Sequence, residues 1–418
     1  MIKGIAILFA IISTFPQAFA QDSEDYISLR GTVKSLKTNL PIPFANISLK
    51  NQPIGINANE EGKFELNIEP EYQFDTISFS AIGYVTQEFL IYSYLAANDK
   101  VIMLVDTAYQ LDNIFITSIP AKEIVSRAIR NIPQNYPARP YMLKGFYRTS
   151  FRENNQYVRL LESALEVYDE GFETKNGIST RHQKMRKSFD YRKYKWTESA
   201  NYLTSFIMGD FIRNPEGNLQ DLFGKWNYNV RGVTFLDKEE VFLIDANIPI
   251  DNPYESYNAQ LFVRIKDYAI LQLNYDYKWD PNYFPGIDVD SVTLKRTNVS
   301  IMTFYRQYRG KLYLSYQSRE AQWNIYDHSK TGALVSKMEI HDELLIHKVD
   351  PRHGKQPDEK LNEYGDIYKE VSRYDKRFWK RYNKPVETNL FRSIKRDLEK
   401  ETPLERQFRA EKMEDVMK

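Results

Sequence analysis

Residues 27–50 read ISLRGTVKSLKTNLPIPFANISLK, and this stretch decides the fold of the amino-terminal part of the chain. Two runs rich in β-branched and apolar residues, Ile27–Val33 and Phe44–Leu49, flank the turn residues Lys37-Thr38-Asn39 and Pro41-Ile42-Pro43. Proline fixes φ and asparagine tolerates left-handed backbone, so residues of this kind end strands. The stretch therefore predicts two short β-strands and a tight connection between them.

The same spacing of short apolar runs and turn residues continues through residue 118. The further runs, separated by turns at Glu61-Gly62 and Ile82-Gly83, are Lys63–Ile68, Thr76–Ser80, Val85–Ile91, Val101–Val105 and the closing strand Ile114–Ser118. Because we find no helical period in these runs, residues 21–118 are predicted to form a small β-sandwich. Its glycines suit turns and close strand contacts, and we interpret them as structural.

Several motifs of this region carry a resemblance to a known family. They are Leu29-Arg30-Gly31-Thr32-Val33, Leu40–Ile47, Ile54-Gly55, Glu60–Phe64, Ile77–Tyr84 and Leu111–Ile114. Together they resemble the carboxypeptidase regulatory-like domain of exported Bacteroidetes proteins, which also precedes many TonB-dependent outer-membrane receptors. The resemblance implies a seven-stranded transthyretin-like sandwich. A peptidase domain would need zinc ligands at a His-x-x-Glu spacing, and the sequence contains no such spacing.

A helical junction is predicted over residues 119–140. Pro120 precedes one apolar face formed by Ala121, Ile124, Val125, Ala128 and Ile129. Pro133, Pro137 and Pro140 are expected to end the helix.

Residues 141–355 are predicted to form a large antiparallel β domain, with a curved half-barrel as one form it can take. Gly145–Arg152 and Tyr157–Tyr168 suit a hairpin around Asn154-Asn155, although the second arm also fits a helical period. Long alternating runs follow at Val241–Ala246, Gln260–Ile265, Ala269–Lys278, Val299–Tyr308, Lys311–Trp323 and Lys337–His347. Residues 200–224 are expected to be an irregular or helical insertion.

Residues 356–418 are predicted to be a charged helical tail that packs on the sheet in its first half. Its helices are expected at Asn389–Lys400 and Thr402–Met417. Ile124–Ile129, Ile132–Tyr136, Gly145–Arg148, Glu162–Ala164 and Phe378–Asn383 resemble the domain of unknown function that often follows the sandwich in exported proteins of this kind. Gln260–Leu273 is similar to a strand pair of the periplasmic lipoprotein-carrier half-barrel.

Residues 1–20 are predicted to be a cleavable signal peptide. Lys3 precedes an apolar run from Gly4 to Phe15, and Ala18-Phe19-Ala20 supplies small residues for cleavage. An uncleaved anchor is the alternative, but the run is shorter than the about 20 residues that span a bilayer. The sequence has 0 cysteines, which excludes a lipid anchor after the cleavage site. We therefore expect export to the periplasm, with the outer-membrane surface as the alternative, and no transmembrane segment after cleavage.

The composition excludes several functional classes. Without cysteine the chain has no disulfide, no thiolate metal site and no thiol nucleophile. Its 57 basic and 56 acidic side chains give a net charge of +1, which argues against nucleic acid as a partner. The 30 tyrosines and 24 phenylalanines favour β-sheets with large contact surfaces.

Candidate chemistry is sparse. His341, Glu343 and His347 would share one face of a strand, and His353 follows Pro351. His341 and His347 would nevertheless lie too far apart for one metal ion unless the strand contains a bulge. The acidic pairs Glu239-Glu240 and Asp342-Glu343 are interpreted as solvated surface. No serine-hydrolase elbow, phosphate loop or dinucleotide fingerprint occurs. We therefore predict no catalytic, cofactor-binding or metal-binding residue and no cofactor.

Two further features could contact a ligand. The basic stretch Arg181–Lys195, which Trp196 follows, could meet anionic lipid or polysaccharide, although an exposed segment balanced by acidic neighbours is the favoured interpretation. The aromatic stretches Tyr275–Trp279, Tyr305–Tyr308 and Tyr313–Tyr316 could bind carbohydrate or lipid, although core and cross-strand packing is favoured.

Three functional hypotheses remain open. The first is a non-enzymatic envelope protein whose sandwich is a docking module and whose large sheet binds a protein partner or an amphipathic or glycan ligand. The second is a periplasmic lipid-binding protein that resembles the lipoprotein carrier, which predicts a dry apolar cavity. The third is a metal-dependent envelope hydrolase, which predicts that His341, His347 and Asp342 converge in one pocket.

Overall fold

The chain folds into a two-sheet amino-terminal domain, one very wide sheet and a set of carboxy-terminal helices. The computed structural model describes residues 26–107, 118–174, 177–195, 203–204, 206–207, 209–210, 212–213, 226–248, 254–283, 286–328, 332–352, 355–358, 367–370 and 372–410. Several sequence predictions lie outside these residues, namely the signal peptide, residues 114–117 of the closing strand, most of the 200–224 insertion, Trp196, His353 and the tail beyond residue 410.

The amino-terminal domain is a β-sandwich, as predicted. Its strands are β1 (Ile27–Ser35), β2 (Asn46–Leu49), β3 (Gly55–Asn57), β4 (Lys63–Ile68), β5 (Thr76–Ser80), β6 (Gln87–Leu90) and β7 (Val101–Leu104). One sheet has the order β4-β1-β7 and the other β3-β2-β5-β6. Leu29, Ile47, Phe64 and Phe79 fill the space between the sheets and are almost fully buried. This apolar core holds the sandwich together.

The sequence missed two elements of the sandwich. The short strand β3 was not predicted, and helix α1 (Ile91–Ala96) follows β6 where no helix was expected. Tyr94 of this helix is buried, and its hydroxyl donates to the Arg30 carbonyl at 2.6 Å. Gly31 makes this contact sterically feasible, because a Cβ there would lie 2.6 Å from the Tyr94 hydroxyl and 2.4 Å from the Lys100 carbonyl oxygen.

The second domain is a single antiparallel sheet. Its strands are β8 (Tyr141–Glu153), β9 (Gln156–Asp169), β10 (Ile178–Lys187), β11 (Asn227–Leu236), β12 (Glu239–Asn247), β13 (Glu255–Arg264), β14 (Ile270–Trp279), β15 (Ile287–Val289), β16 (Val292–Tyr308), β17 (Lys311–Asp327) and β18 (Ala333–Asp350). Their order is β10-β9-β8-β18-β17-β16-β14-β13-β12-β11, with β15 beside β16. Among the described strands β10 and β11 do not pair with each other, so this wide sheet is open rather than a closed barrel.

The hairpin at Asn154-Asn155 is confirmed, and both asparagines have positive φ. The helical alternative for its second arm is wrong, because β9 pairs with β8 from Gln156 to Asp169 on one side and with β10 from Leu161 to Asp169 on the other. A strand covered on both faces carries apolar or charge-paired residues at successive positions. Its sequence therefore lacks the alternation that distinguishes a strand from a helix.

The helices cover both faces of the wide sheet. The helix α2 (Ala121–Arg130) turns Ile124, Val125 and Ala128 to the sheet, as predicted. Pro133 does not end this helix as expected; it lies in the first turn of a separate short helix, α3 (Ile132–Asn135), a position that tolerates proline. The carboxy-terminal helices are α4 (Lys376–Arg381), α5 (Asn389–Leu398) and α6 (Leu404–Arg409). In the described part of the chain no helix is both long and apolar enough to cross a membrane.

Different elements pack against the two faces of the wide sheet. Leu344 packs with Phe206 and Ile207 on one face, which α2 also covers nearer β11. The next residue, Leu345, belongs to the opposite face and joins the core of the sandwich. The carboxy-terminal helices lie on that opposite face, where Trp379 packs against Phe146. We call it the sandwich face.

Candidate functional site

The sandwich is attached to the wide sheet through main-chain contacts at two separated places. Ile54 forms an isolated bridge with Lys348 of β18, and the Val349 amide donates to the Pro53 carbonyl at 2.9 Å. At the other place Tyr84 forms a bridge with Leu236 of β11, and the Gly83 amide donates to the Phe235 carbonyl at 2.8 Å. In the sheet order β17, β16, β14, β13 and β12 lie between these two strands. The sandwich therefore spans the sheet and leaves a cleft beneath it.

An aromatic contact closes one side of this cleft. Phe44 follows the Pro41-Ile42-Pro43 turn and lies with its ring centroid 5.5 Å from that of Phe304 and 5.0 Å from that of Tyr316. Its φ is +55°, a conformation that is rare for a bulky residue. The sandwich thus holds Phe44 in a backbone conformation of higher energy and places its ring against the wide sheet.

The cleft has a volume of about 490 Å³, within the roughly 300–1,000 Å³ range of small-molecule sites. The sandwich contributes two cross-strand rows of small or amide residues, Asn57–Asn46–Ser80 and Gly55–Ser48–Ser78. The wide sheet contributes Phe262, Arg264, Gln272, Met302, Phe304 and Arg306 among others. Both walls are therefore mixed, since the sandwich also contributes the apolar residues Ile42, Pro43, Phe44, Ala81 and Ile82.

Three polar atoms of this lining are buried without a hydrogen-bond partner among the described residues. They are Asn46 Oδ1, Asn57 Oδ1 and Arg306 Nη1. The amide nitrogens beside them are used, since Asn57 Nδ2 donates to the Phe44 carbonyl at 3.1 Å and Asn46 Nδ2 to Ser80 Oγ at 3.3 Å. An unsatisfied buried polar atom costs about 1–3 kcal/mol, so such atoms cluster where a ligand or water completes them.

The cleft's cations differ in how they are balanced. Arg264 forms hydrogen-bonded ion pairs with Asp267 at 2.7 and 2.9 Å, and Lys266 pairs with Glu239 at 2.7 Å. Arg306 contacts only a neutral group in the described structure, donating from Nη2 to the Ile346 carbonyl at 3.3 Å. Burial lowers the pKa of Arg306 to about 10, which leaves the guanidinium charged at neutral pH.

The acidic pair Asp342-Glu343 is buried, which corrects the prediction of a solvated surface. Asp342 is 0% exposed and accepts from Tyr147 at 2.8 Å and from Arg319 at 2.9 Å. Glu343 is 8% exposed and pairs with Arg148 at 3.3 Å on the opposite face. Tyr147 and Arg148 each lie 195 residues from their acidic partners, so a local sequence pattern could not indicate these contacts.

The histidine candidates are not brought into one site. The His341 side chain lies near Glu60 of the sandwich, a glutamate whose pKa burial raises. His347 lies at the bulge that interrupts the β18–β8 pairing, with its ring 5.1 Å from that of Tyr382. The described residues contain no group of three or more histidine or carboxylate side chains that could hold a metal ion. His341, His347 and Asp342 therefore diverge.

The basic stretch Arg181–Lys195 forms β10 and the segment after it. Much of its charge is balanced, since Arg181 pairs with Glu166, Arg186 with Glu162 and Arg192 with Asp190. Lys184 and Lys187 face a groove of about 830 Å³ that the segment around Arg373–Arg377 also lines. The acidic neighbours agree with the favoured interpretation, but most of the stretch is half-buried or buried rather than exposed, and Arg192 is only 4% exposed.

The aromatic stretches form ring contacts within the protein. Tyr305 lies 5.3 Å from Tyr136, and Tyr313 lies 5.2 Å from Tyr141, between ring centroids. Tyr275 and Tyr277 line an apolar hollow under α2 whose volume is about 20 Å³. That space is of the order of one water molecule, about 10–15 Å³ by the same measure, and is far too small for a lipid.

The comparisons with known proteins identify the sandwich. Residues 29–116 match the family model of the CarboxypepD_reg-like domain, which confirms the resemblance drawn from the sequence motifs. A solved structure of a DUF1329 family protein from Desulfovibrio piger ATCC 29098 aligns with 57% of this chain and 96% of that chain, at 12% identity and a TM-score of 0.26. A score this low assigns neither fold nor function. No curated protein matches the chain.

Proposed function

We propose that this chain is a non-catalytic, exported cell-envelope protein that binds a polar, glycan-like ligand between its sandwich and its wide sheet. The observation that carries the proposal is the cleft of about 490 Å³ in which Arg306 Nη1, Asn46 Oδ1 and Asn57 Oδ1 are buried without partners. The sandwich acts as one wall of the site and as the module that docks it to the sheet.

The chemistry of the walls favours a polyhydroxylated ligand. Asparagine amides and serine hydroxyls can each donate and accept, as can the hydroxyl groups of a sugar. The partly buried rings of Phe262 and Phe304 offer apolar surface on the other wall, against which the faces of sugar rings can pack. An amphipathic ligand of this kind matches both walls better than a purely apolar one.

Export is supported by the predicted signal peptide and by the family match of the sandwich. The periplasm is the proposed compartment, with the outer-membrane surface as the alternative. The non-catalytic part of the proposal is supported by the divergence of His341, Asp342 and His347, which the hydrolase hypothesis requires to converge. The lipid-carrier hypothesis requires a dry apolar cavity large enough for a lipid, and the hollow lined by Tyr275 and Tyr277 is too small for one.

The test is direct binding of purified full-length protein to a set of neutral and acidic oligosaccharides, measured by isothermal titration calorimetry. A Ser78→Trp substitution places a large ring in the cleft and is expected to weaken binding by roughly tenfold or more. Asn229→Ala, on the exposed side of β11, is the matched control and should leave binding unchanged. Absence of binding to every saccharide, or equal affinity in the Ser78→Trp variant, would contradict the proposal.

A further inference from the structure

The guanidinium of Arg306 lies where the wide sheet meets the sandwich. It projects from β16 towards β3 of the sandwich, where a Cβ on Gly55 would lie only 2.8 Å from its Nη1 atom. Glycine at position 55 therefore lets the guanidinium lie against the sandwich. One of its five N–H donors reaches the Ile346 carbonyl, a neutral group that does not compensate its charge.

Other buried or half-buried arginines of the wide sheet have acidic partners. Arg148 pairs with Glu162 at 2.7 Å, and Arg319 pairs with Asp342 at 2.9 Å. No carboxylate of the described chain lies within ion-pair distance, 4.0 Å, of Arg306. A buried charge costs several kcal/mol unless an opposite charge compensates it, so this arginine differs from its neighbours in a way that needs an explanation.

Other positively charged side chains lie near Arg306. His347 lies close enough for the charge on Arg306 to disfavour protonation of its imidazole, and Lys348 and Lys144 act on His347 in the same direction. Lys348 and Lys144 have acidic partners, Glu69 at 3.2 Å and Glu166 at 3.4 Å, whereas Arg306 has no carboxylate partner among the described residues. An anion is the group that such a site lacks, and a planar guanidinium binds carboxylate and phosphate through two parallel hydrogen bonds.

We infer that the ligand of the interdomain cleft carries an anionic group, a carboxylate or a phosphate, that pairs with Arg306. This inference rests on the proposed function and specifies its ligand as an acidic saccharide. The hydroxyl groups of the ligand face the serine and asparagine rows, and its anionic group lies at the end of the cleft where Gly55 meets Arg306.

The test compares each acidic probe with a neutral counterpart by titration calorimetry. Trigalacturonate is measured beside its methyl ester, and glucose 6-phosphate beside glucose, so that the two arms distinguish a carboxylate from a phosphate. In the wild type one acid is expected to bind at least tenfold more tightly than its neutral counterpart, a preference that weakens as salt is added. Equal affinity of acid and neutral probe in both arms would overturn the inference and leave the proposed function intact.

Variants locate the preference on Arg306. Arg306→Gln is expected to remove the preference for the acid, so that the acid and its neutral counterpart bind with equal affinity. Arg306→Lys, which keeps the charge but loses the planar fork, should retain only part of the preference. Arg231→Gln, on the exposed side of β11, is the control. A preference that persists in Arg306→Gln would overturn the inference. Failure of every probe to bind the wild type would instead contradict the proposed function itself.

Discussion

His347 shows how one buried residue couples stability to pH. Its ring lies against Tyr382 at the bulge of β18, and its Nε2 has no hydrogen-bond partner among the described residues. Burial lowers the pKa of His347 to about 3, and the charges of Arg306, Lys144 and Lys348 add to this effect. The folded protein therefore holds the neutral imidazole, whereas the unfolded chain takes up a proton near pH 6.5.

The sign of the pH dependence follows from this difference. Below the unfolded pKa the unfolded state binds the extra proton, so His347 makes the free energy of unfolding fall as pH decreases from 6.5 towards about 3. The loss should be about 3 kcal/mol by about pH 4.5. His347→Gln is expected to reduce the pH dependence of urea unfolding, whereas His328→Gln, at an exposed site, is not. Parallel pH profiles for the wild type and His347→Gln would contradict this account.

At the scale of elements, a row of alternating charge crosses four neighbouring strands of the sandwich face. Arg186 of β10 lies opposite Glu162 of β9, Glu162 lies opposite Arg148 of β8, and Arg148 lies opposite Glu343 of β18. Helices α4 and α5 cover the row, with the Trp379 ring over the Arg186 guanidinium and the Phe391 ring over that of Arg148. The row joins the tail, the sheet and the sandwich contact at Tyr316, which donates to Glu343 at 3.2 Å.

Glu162 is the residue on which this row depends. It is fully buried, and its pairs with Arg148 and Arg186 lower its pKa although burial acts to raise it. Glu162→Gln would leave the Arg186 guanidinium without its carboxylate and Arg148 with only its 3.3 Å pair to Glu343, and we expect the free energy of unfolding to fall by about 3 kcal/mol. Glu123→Gln removes exposed pairs with Arg127 and Arg130, which solvent screens, and should cost far less. Urea unfolding measures both, and equal losses would contradict the assignment.

The elements were more predictable from the sequence than the contacts between them. The strands β4 and β5 coincide with the predicted runs, because alternation and turn residues are local properties. Helix α1 was missed, since a run of six residues is too short to show a helical period. The charge row was missed for another reason. Arg148 and Glu343 are 195 residues apart, and only the order of the strands brings them together.

The candidate site could not be predicted for the same reason. Asn46 belongs to a motif that indicated a sandwich, Asn57 lies outside every predicted strand, and Arg306 lies in the aromatic stretch Tyr305–Tyr308. Each residue is ordinary within its own strand. The cleft exists because the sandwich attaches to β18 and β11, and that attachment depends on tertiary packing rather than on local pattern.

At the scale of the whole molecule, the tail fastens the sandwich to the sheet a third time. The backbone N–H of Asn67 donates to Asn383 Oδ1 at 2.7 Å, and Asn383 Nδ2 donates to the Asn67 carbonyl at 2.9 Å. The Asn389 amide also donates to Glu61 at 2.7 Å. Because the two domains and the tail share buried contacts, we expect them to unfold as one cooperative unit at neutral pH.

Phe44 provides the test of this coupling, since its ring is the sandwich's aromatic contact with Phe304 and Tyr316. Phe44→Ala removes roughly 2 kcal/mol of apolar burial at the domain contact. We expect calorimetry to show that the single transition of the wild type broadens or divides, with the sandwich unfolding first. Phe74→Ala removes a ring that is 71% exposed on the same domain and should leave one transition.

A further variant separates docking from backbone strain. Phe44→Gly removes the same ring but relieves the positive φ of +55°, so it should be more stable than Phe44→Ala by up to about 1 kcal/mol. Both variants should also weaken ligand binding, because the cleft keeps its width only while the sandwich is docked. If Phe44→Ala and Phe74→Ala gave the same calorimetric profile, the aromatic contact would not couple the domains, and the main-chain bridges at Ile54 and Tyr84 would have to do so together with the tail.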